Sequence, residues 1–135
     1  MTAKELTYDR RIILSTLWIF VSLNYLYCDV ISLMSAELLN ALLTGVAGGI
    51  EMNEQTLLAA GIIMEVSIAM VLLSRVLKYK SNRITNIIAG ILKTLIMVGT
   101  LLMGVPSLHY MFFATIEIAT TLFIIWYAWT WKQAD

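Results

Sequence analysis

Residues 86–103 read NIIAGILKTLIMVGTLLM. The run is apolar almost throughout, yet Lys93 puts an ammonium group near its middle. Its length approaches the ~20 residues with which a helix crosses a bilayer. It is too uniformly apolar for a barrel strand, which alternates lipid-facing and lumen-facing residues. Helices and closed barrels are the structures that satisfy every backbone polar group in lipid, so the stretch is a membrane-spanning helix. Similar runs lie on either side. The spans are expected at about residues 12–32, 56–74, 84–103 and 108–129. The expected architecture is therefore all-α: a bundle of four transmembrane helices forming one integral membrane domain over residues 1–135.

Composition agrees. Of the 135 residues, 60% are hydrophobic and 13% charged, against ~25% charged in a typical soluble domain. The net charge is zero, which removes the bulk basic signature of a nucleic-acid binder. The lone Cys28 cannot form an internal disulfide and does not reveal a redox compartment. Arg10 and Arg11 precede the first apolar run, as in a signal peptide. However, that run is long, holds Asn24 and Asp29 near its end, and is followed by a poor cleavage site, so it is expected to be retained as a span.

The boundaries carry helix punctuation. Asn53 and Glu54 precede the second span, Ser81 and Asn82 the third, and Gly104, Pro106 and Ser107 make a tight turn into the fourth. Eight of the nine basic residues fall before span 1, between spans 2 and 3, or after span 4; the ninth is Lys93. The 33–55 loop has Glu37, Glu51 and Glu54 but no Lys or Arg. The positive-inside rule then places both termini in the cytoplasm, in a cytoplasmic (inner) membrane. Trp126, Tyr127, Trp129 and Trp131 form an expected aromatic belt at the inner interface. In the first extracytoplasmic loop, Ser35–Thr44 reads as a short interfacial helix, broken by Gly45, Gly48 and Gly49. The alternative is a lid over the bundle.

Depth follows from 1.5 Å of rise per residue. Glu65 and Lys93 lie ~13 Å from the inner ends of their spans, Glu117 ~18 Å, Asn24 ~20 Å and Asp29 ~27 Å. A charge at the centre of a span costs ~2.5–3.5 kcal/mol on the insertion scale. A carboxylate ~4 Å from an ammonium returns ~4 kcal/mol at an effective dielectric of ~20. Lys93 is therefore expected to be the counter-ion of Glu65, Glu117 or both. Each of these three shares a helical face with small or hydroxyl residues, the pattern of a helix–helix interface. These are Asn86, Gly90 and Thr100 for Lys93, Gly61 and Ala69 for Glu65, and Ala114, Thr120 and Thr121 for Glu117. In span 1, Trp18, Ser22, Tyr25, Asp29 and Ser32 make a polar stripe, and Asn24 points away from Asp29. Intramembrane ionisable groups are functional-site candidates by default, so Glu65, Lys93, Glu117, Asn24 and Asp29 form the expected ligand or ion site.

Neither a phosphate loop, HExxH, CxxC nor GxSxG occurs. No catalytic residue, metal site or cofactor is expected. His109 and Cys28 read as a surface histidine and a packed thiol. Three functions remain open: a protein binding or transporting a small solute or proton, a membrane-embedded enzyme acting on a lipid-like substrate, and an accessory subunit whose charges only lock the bundle. The expected partners are the bilayer, a small amphipathic or cationic ligand, and a second copy of the chain, with no nucleic acid.

Leu14–Trp18, Tyr25, Tyr27 and Asp29, then Arg75, Lys78 and Asn82–Asn86, then Glu117 and Ile125–Trp129 together resemble a group of short bacterial four-span membrane proteins forming a family of unknown function. That resemblance implies the four-helix fold and lends no activity. A further architectural similarity is to DoxX-like and sterol-isomerase-like four-helix bundles, which hold carboxylates in an intramembrane pocket. It implies a small amphipathic or cationic ligand.

Overall fold

Each expected span is a helix in the computed structural model, which describes residues 2–132. The end of the expected 1–135 domain, residues 133–135, and Met1 lie outside the described residues. Helix α1 runs over Ala3–Ser32, α2 over Ala36–Leu43, α3 over Glu54–Val76, α4 over Tyr79–Leu102 and α5 over Leu108–Trp129. The four long helices are long and apolar enough to cross a membrane, and the chain is a multi-pass membrane protein.

Two helix starts differ from the sequence reading. α1 begins nine residues before position 12, because Thr2 and Glu5 form a reciprocal capping box. The hydrogen bonds from Thr2 hold the Glu5 carboxyl below its ordinary range. The apolar run marks the membrane portion of α1, and a polar extension precedes it. α4 starts at Tyr79, not near 84, with Lys78 as its cap. Asn82 is not that helix's cap. It lies inside α4 and its Nδ2 donates to the Ser74 carbonyl at 2.6 Å, satisfying the end of α3 instead. Asn53 and Ser107 do cap α3 and α5, accepting from Thr56 N and Tyr110 N.

α1 packs against α3 on one side and α5 on the other, and α5 packs against α4. α3 and α4 are joined by only Leu77 and Lys78, and they meet more sparsely. The core lies among Leu14, Trp18, Val21, Met70, Ile124 and Trp131. Lipid tails are as apolar as these side chains, so close packing and interhelical hydrogen bonds must supply the cohesion. Both are visible. α4 and α5 approach closely at Gly90, where an added Cβ would lie 2.6 Å from Ile125 Cγ1. One turn away the Thr94 and Thr121 hydroxyls are 2.7 Å apart.

A polar tie joins three helices toward the end where the basic residues gather. Asn86 of α4 is fully buried. Its Oδ1 accepts from Trp18 Nε1 of α1 at 2.7 Å and from Ser74 Oγ of α3 at 3.2 Å. Its Nδ2 donates to Asn82 Oδ1 at 2.7 Å. Beside it, Arg75 Nε donates to Ser15 Oγ at 3.0 Å, and that hydroxyl donates to the Val71 carbonyl at 2.8 Å. The last carbonyls of α5 are taken by Arg10, which reaches Tyr127 O at 2.8 Å, and Arg83, which reaches Trp129 O at 2.8 Å. Cations at a helix C-terminus also meet its negative dipole end. Trp126 and Trp129 are exposed as an interfacial belt requires, but Trp131 is buried. It turns inward, edge-on to the Tyr79 ring with centroids 5.2 Å apart.

At the opposite end, α2 buries none of its residues, as befits a helix lying on a surface. After it, β1 (Val46–Ala47) and β2 (Ile50–Glu51) form a two-stranded antiparallel hairpin. Its two-residue turn, Gly48 and Gly49, has φ of +59° and +79°. Positive φ at both central positions is the type I′ geometry that suits tight hairpins. The hairpin and the α4–α5 turn line a common cleft of about 240 Å³.

Candidate functional site

Lys93 and Glu117 are drawn inside the bundle by helices whose buried faces the sequence periodicity marks. Lys93 sits on the α4 face with Asn86 and Gly90, and Glu117 on the α5 face with Ala114, Thr120 and Thr121. They are 3% and 1% exposed. Lys93 Nζ lies 4.0 Å from the centroid of the Tyr25 ring on α1 and donates to the Ile63 carbonyl on α3 at 3.3 Å. The Met64 sulfur is 4.0 Å away. None of these partners is a carboxylate.

Glu117 Oε1 is buried with no hydrogen-bond partner. The Tyr25 hydroxyl and Ser22 Oγ on α1 are in the same condition. An orphaned buried polar atom costs ~1–3 kcal/mol.

A groove of about 320 Å³ runs between α1 and α3 beside this centre. Ser22, Tyr25 and Asp29 lie along it with Leu26, Met64 and Ile68, and its surface is almost wholly apolar; Glu117 stands behind it and does not line it. Tyr25 and Met64 are shared: each touches Lys93 on one side and lines the groove on the other.

Glu65 is not part of this arrangement. It is exposed, so the expected Glu65–Lys93 pairing does not form. The reason is angular. α3 buries Ser67, Met70 and Ser74, and at ~100° per residue Glu65 stands roughly 200° around from Ser67. Small neighbours such as Gly61 and Ala69 mark a second face of α3 and not the one turned to the core. Asn24 is likewise apart from Lys93. Its Nδ2 donates to the Phe20 carbonyl at 2.9 Å, and it lines a separate cleft with Phe20, Tyr27 and Phe113. Asp29 is also exposed; it lines the α1–α3 groove and is not among the hydrogen-bond partners of Lys93. Tyr25 was legible in the polar stripe of span 1, but its service as the aromatic face for Lys93 was not, because no local pattern encodes a contact across 68 residues.

At the rim, His109 Nε2 lies 2.9 Å from Ser32 Oγ, with Ser107 Oγ 3.1 Å from Nδ1. The histidine thus ties α5 to α1. Cys28 is buried, as a packed thiol would be. Among the described residues, no group of three or more His, Cys, Asp or Glu is placed to hold a metal ion.

Over residues 1–135 the chain matches a family of unknown function, DUF6326, and belongs to it. No curated protein matches the chain. Nor does any solved structure.

Proposed function

We propose that this protein binds a small amphipathic molecule with a cationic head, taken up from the bilayer through the α1–α3 groove. The observation that carries the reading is the Glu117 carboxyl, almost wholly buried with an unpartnered oxygen. Lys93 is received by the Tyr25 ring and the Ile63 carbonyl and not by Glu117, so a cation or a proton completes the Glu117 carboxyl. The head reaches Glu117 and Asp29, and the Tyr25 and Ser22 hydroxyls offer it further hydrogen bonds. The apolar lining of the groove receives the tail. Both termini and the α3–α4 connection face the cytoplasm in this reading, which the distribution of basic residues supports. The site then lies in the part of the bundle remote from the basic end.

The test is thermal unfolding in maltoside micelles with decylamine or decanoic acid as probes. Decylamine should raise the unfolding temperature of the wild-type chain, and decanoic acid should not. In Glu117→Gln most of the rise should vanish. An equal response to both probes, or an unchanged response in Glu117→Gln, defeats the proposal.

A further inference from the structure

Glu65 is an exposed carboxylate halfway along a membrane span. Only 11% of that span is buried within the chain, against 33% of the first and fourth spans. Left among acyl tails, a charged side chain at this depth is costly. The face that carries it has a further property. Leu58, Ile62, Glu65, Ala69, Leu72 and Val76 recur at alternating intervals of four and three, the 3.5-residue period of a coiled-coil seam. Leu58, Ile62, Leu72 and Val76 are all exposed. The stripe stands opposite the Ser67, Met70 and Ser74 face that packs inside the bundle. An added Cβ at neighbouring Gly61 would meet nothing within 4 Å, which leaves room for close backbone approach.

We propose that this seam is the contact between two copies of the chain, paired in parallel about a two-fold axis running beside Glu65. Eight of the nine cations gather at one end of the sequence's spans and the ninth, Lys93, is buried, so among the described residues no exposed cation lies at the depth of Glu65. A parallel two-fold pairing brings the same residue to the same depth by construction. The two Glu65 side chains then share one proton, the protonated carboxyl of one copy donating to a carboxylate oxygen of the other, away from lipid. A single polar residue in an otherwise apolar seam also fixes its register. The pairing does not rest on the binding site, whose lining on α3, Met64, Ile68 and Val71, occupies the face next to the seam.

The test is oxidative cross-linking in native membranes of the full chain carrying Cys28→Ser. Leu72→Cys, on the seam, should give a disulfide-linked homodimer. Ile84→Cys is also exposed and similarly near the basic end but on α4, and it should give little. Adding Glu65→Leu should weaken dimerisation about three- to eighteenfold, the range for an interhelical hydrogen bond in membranes. Glu65→Gln retains a side chain that bonds to its own copy and should keep most of the dimer. Equal cross-linking at Leu72→Cys and Ile84→Cys overturns the proposal. So does a Leu72→Cys adduct with a different protein, or full dimerisation in Glu65→Leu.

Discussion

Replacing Asn86 by Leu removes the centre of the polar tie at little change in side-chain size. Trp18 Nε1, Ser74 Oγ and Asn82 Oδ1 all depend on Asn86. Interhelical hydrogen bonds in membranes average ~0.6 kcal/mol and reach ~1.7. Orphaning a buried donor or acceptor adds to that loss, because no water replaces the partner. Three such atoms bring the expected destabilisation to about 2–4 kcal/mol. Thr120→Val is the control. Thr120 is also buried, but its hydroxyl only bonds back to the Ile116 carbonyl of its own helix, so its loss should cost about 0.5 kcal/mol or less. Unfolding by sodium dodecyl sulfate in mixed micelles, followed by far-ultraviolet circular dichroism, measures both. A double-mutant cycle with Trp18→Phe, which deletes the Nε1 donor and keeps an aromatic ring, should show coupling of about 1 kcal/mol. If Asn86→Leu costs no more than Thr120→Val and shows no coupling to Trp18→Phe, the three-helix tie is not what holds this end together.

Substitutions at two further positions, Gly90 and Tyr25, probe the packing around the site. Gly90→Val should destabilise by about 1–3 kcal/mol, because its Cβ would sit 2.6 Å from Ile125 Cγ1. The same micelle titration should show partial rescue by Ile125→Ala, and wild-type stability in Gly90→Val would contradict the close α4–α5 approach. Tyr25→Phe keeps the ring under Lys93 and removes a buried hydroxyl with no partner, so stability should hold or rise by up to about 1 kcal/mol while the decylamine response falls. Tyr25→Leu removes the ring as well and should cost about 2 kcal/mol or more; equal stability of the two variants would exclude the cation–π contact.

The spans were legible because apolar run length is a local property, and lipid leaves the backbone few choices. The inward faces of α4 and α5 were legible for a related reason. Gly90 and Lys93 on one, and Ala114, Glu117 and Thr121 on the other, repeat at helical spacing and are buried as that spacing implies. α3 defeated the same reasoning. It carries two faces rich in small or polar residues, one with Ser67 and Ser74 and the other with Gly61, Glu65 and Ala69, and periodicity marks each without ranking them. Only the packing of α1 decides which is internal. Asn82 was misplaced as a cap because Asn is favoured at helix starts. A buried carbonyl at the end of α3 outbid that local preference, and its position relative to Asn82 is a tertiary fact. The Asn86–Trp18 bond spans 68 residues and left no local trace.

How Lys93 is stabilised bears directly on what Glu117 can do. Burying its charge costs ~2.5–3.5 kcal/mol. A desolvated cation–π contact returns ~2 kcal/mol, and a hydrogen bond from a charged donor ~1.5–3 kcal/mol. The Tyr25 ring and the Ile63 carbonyl supply one of each. Together they offset the cost without a direct ion pair. A tight Lys93–Glu117 bridge would occupy the carboxylate oxygens and leave a structural pin. Here the ammonium is held by groups from α1 and α3, and one Glu117 oxygen keeps its hydrogen-bonding capacity unspent. The opening puzzle of residues 86–103 therefore resolves in two parts. Lys93 is tolerated because an aromatic face and a backbone carbonyl receive it, and Glu117 is buried with an oxygen that Lys93 does not occupy.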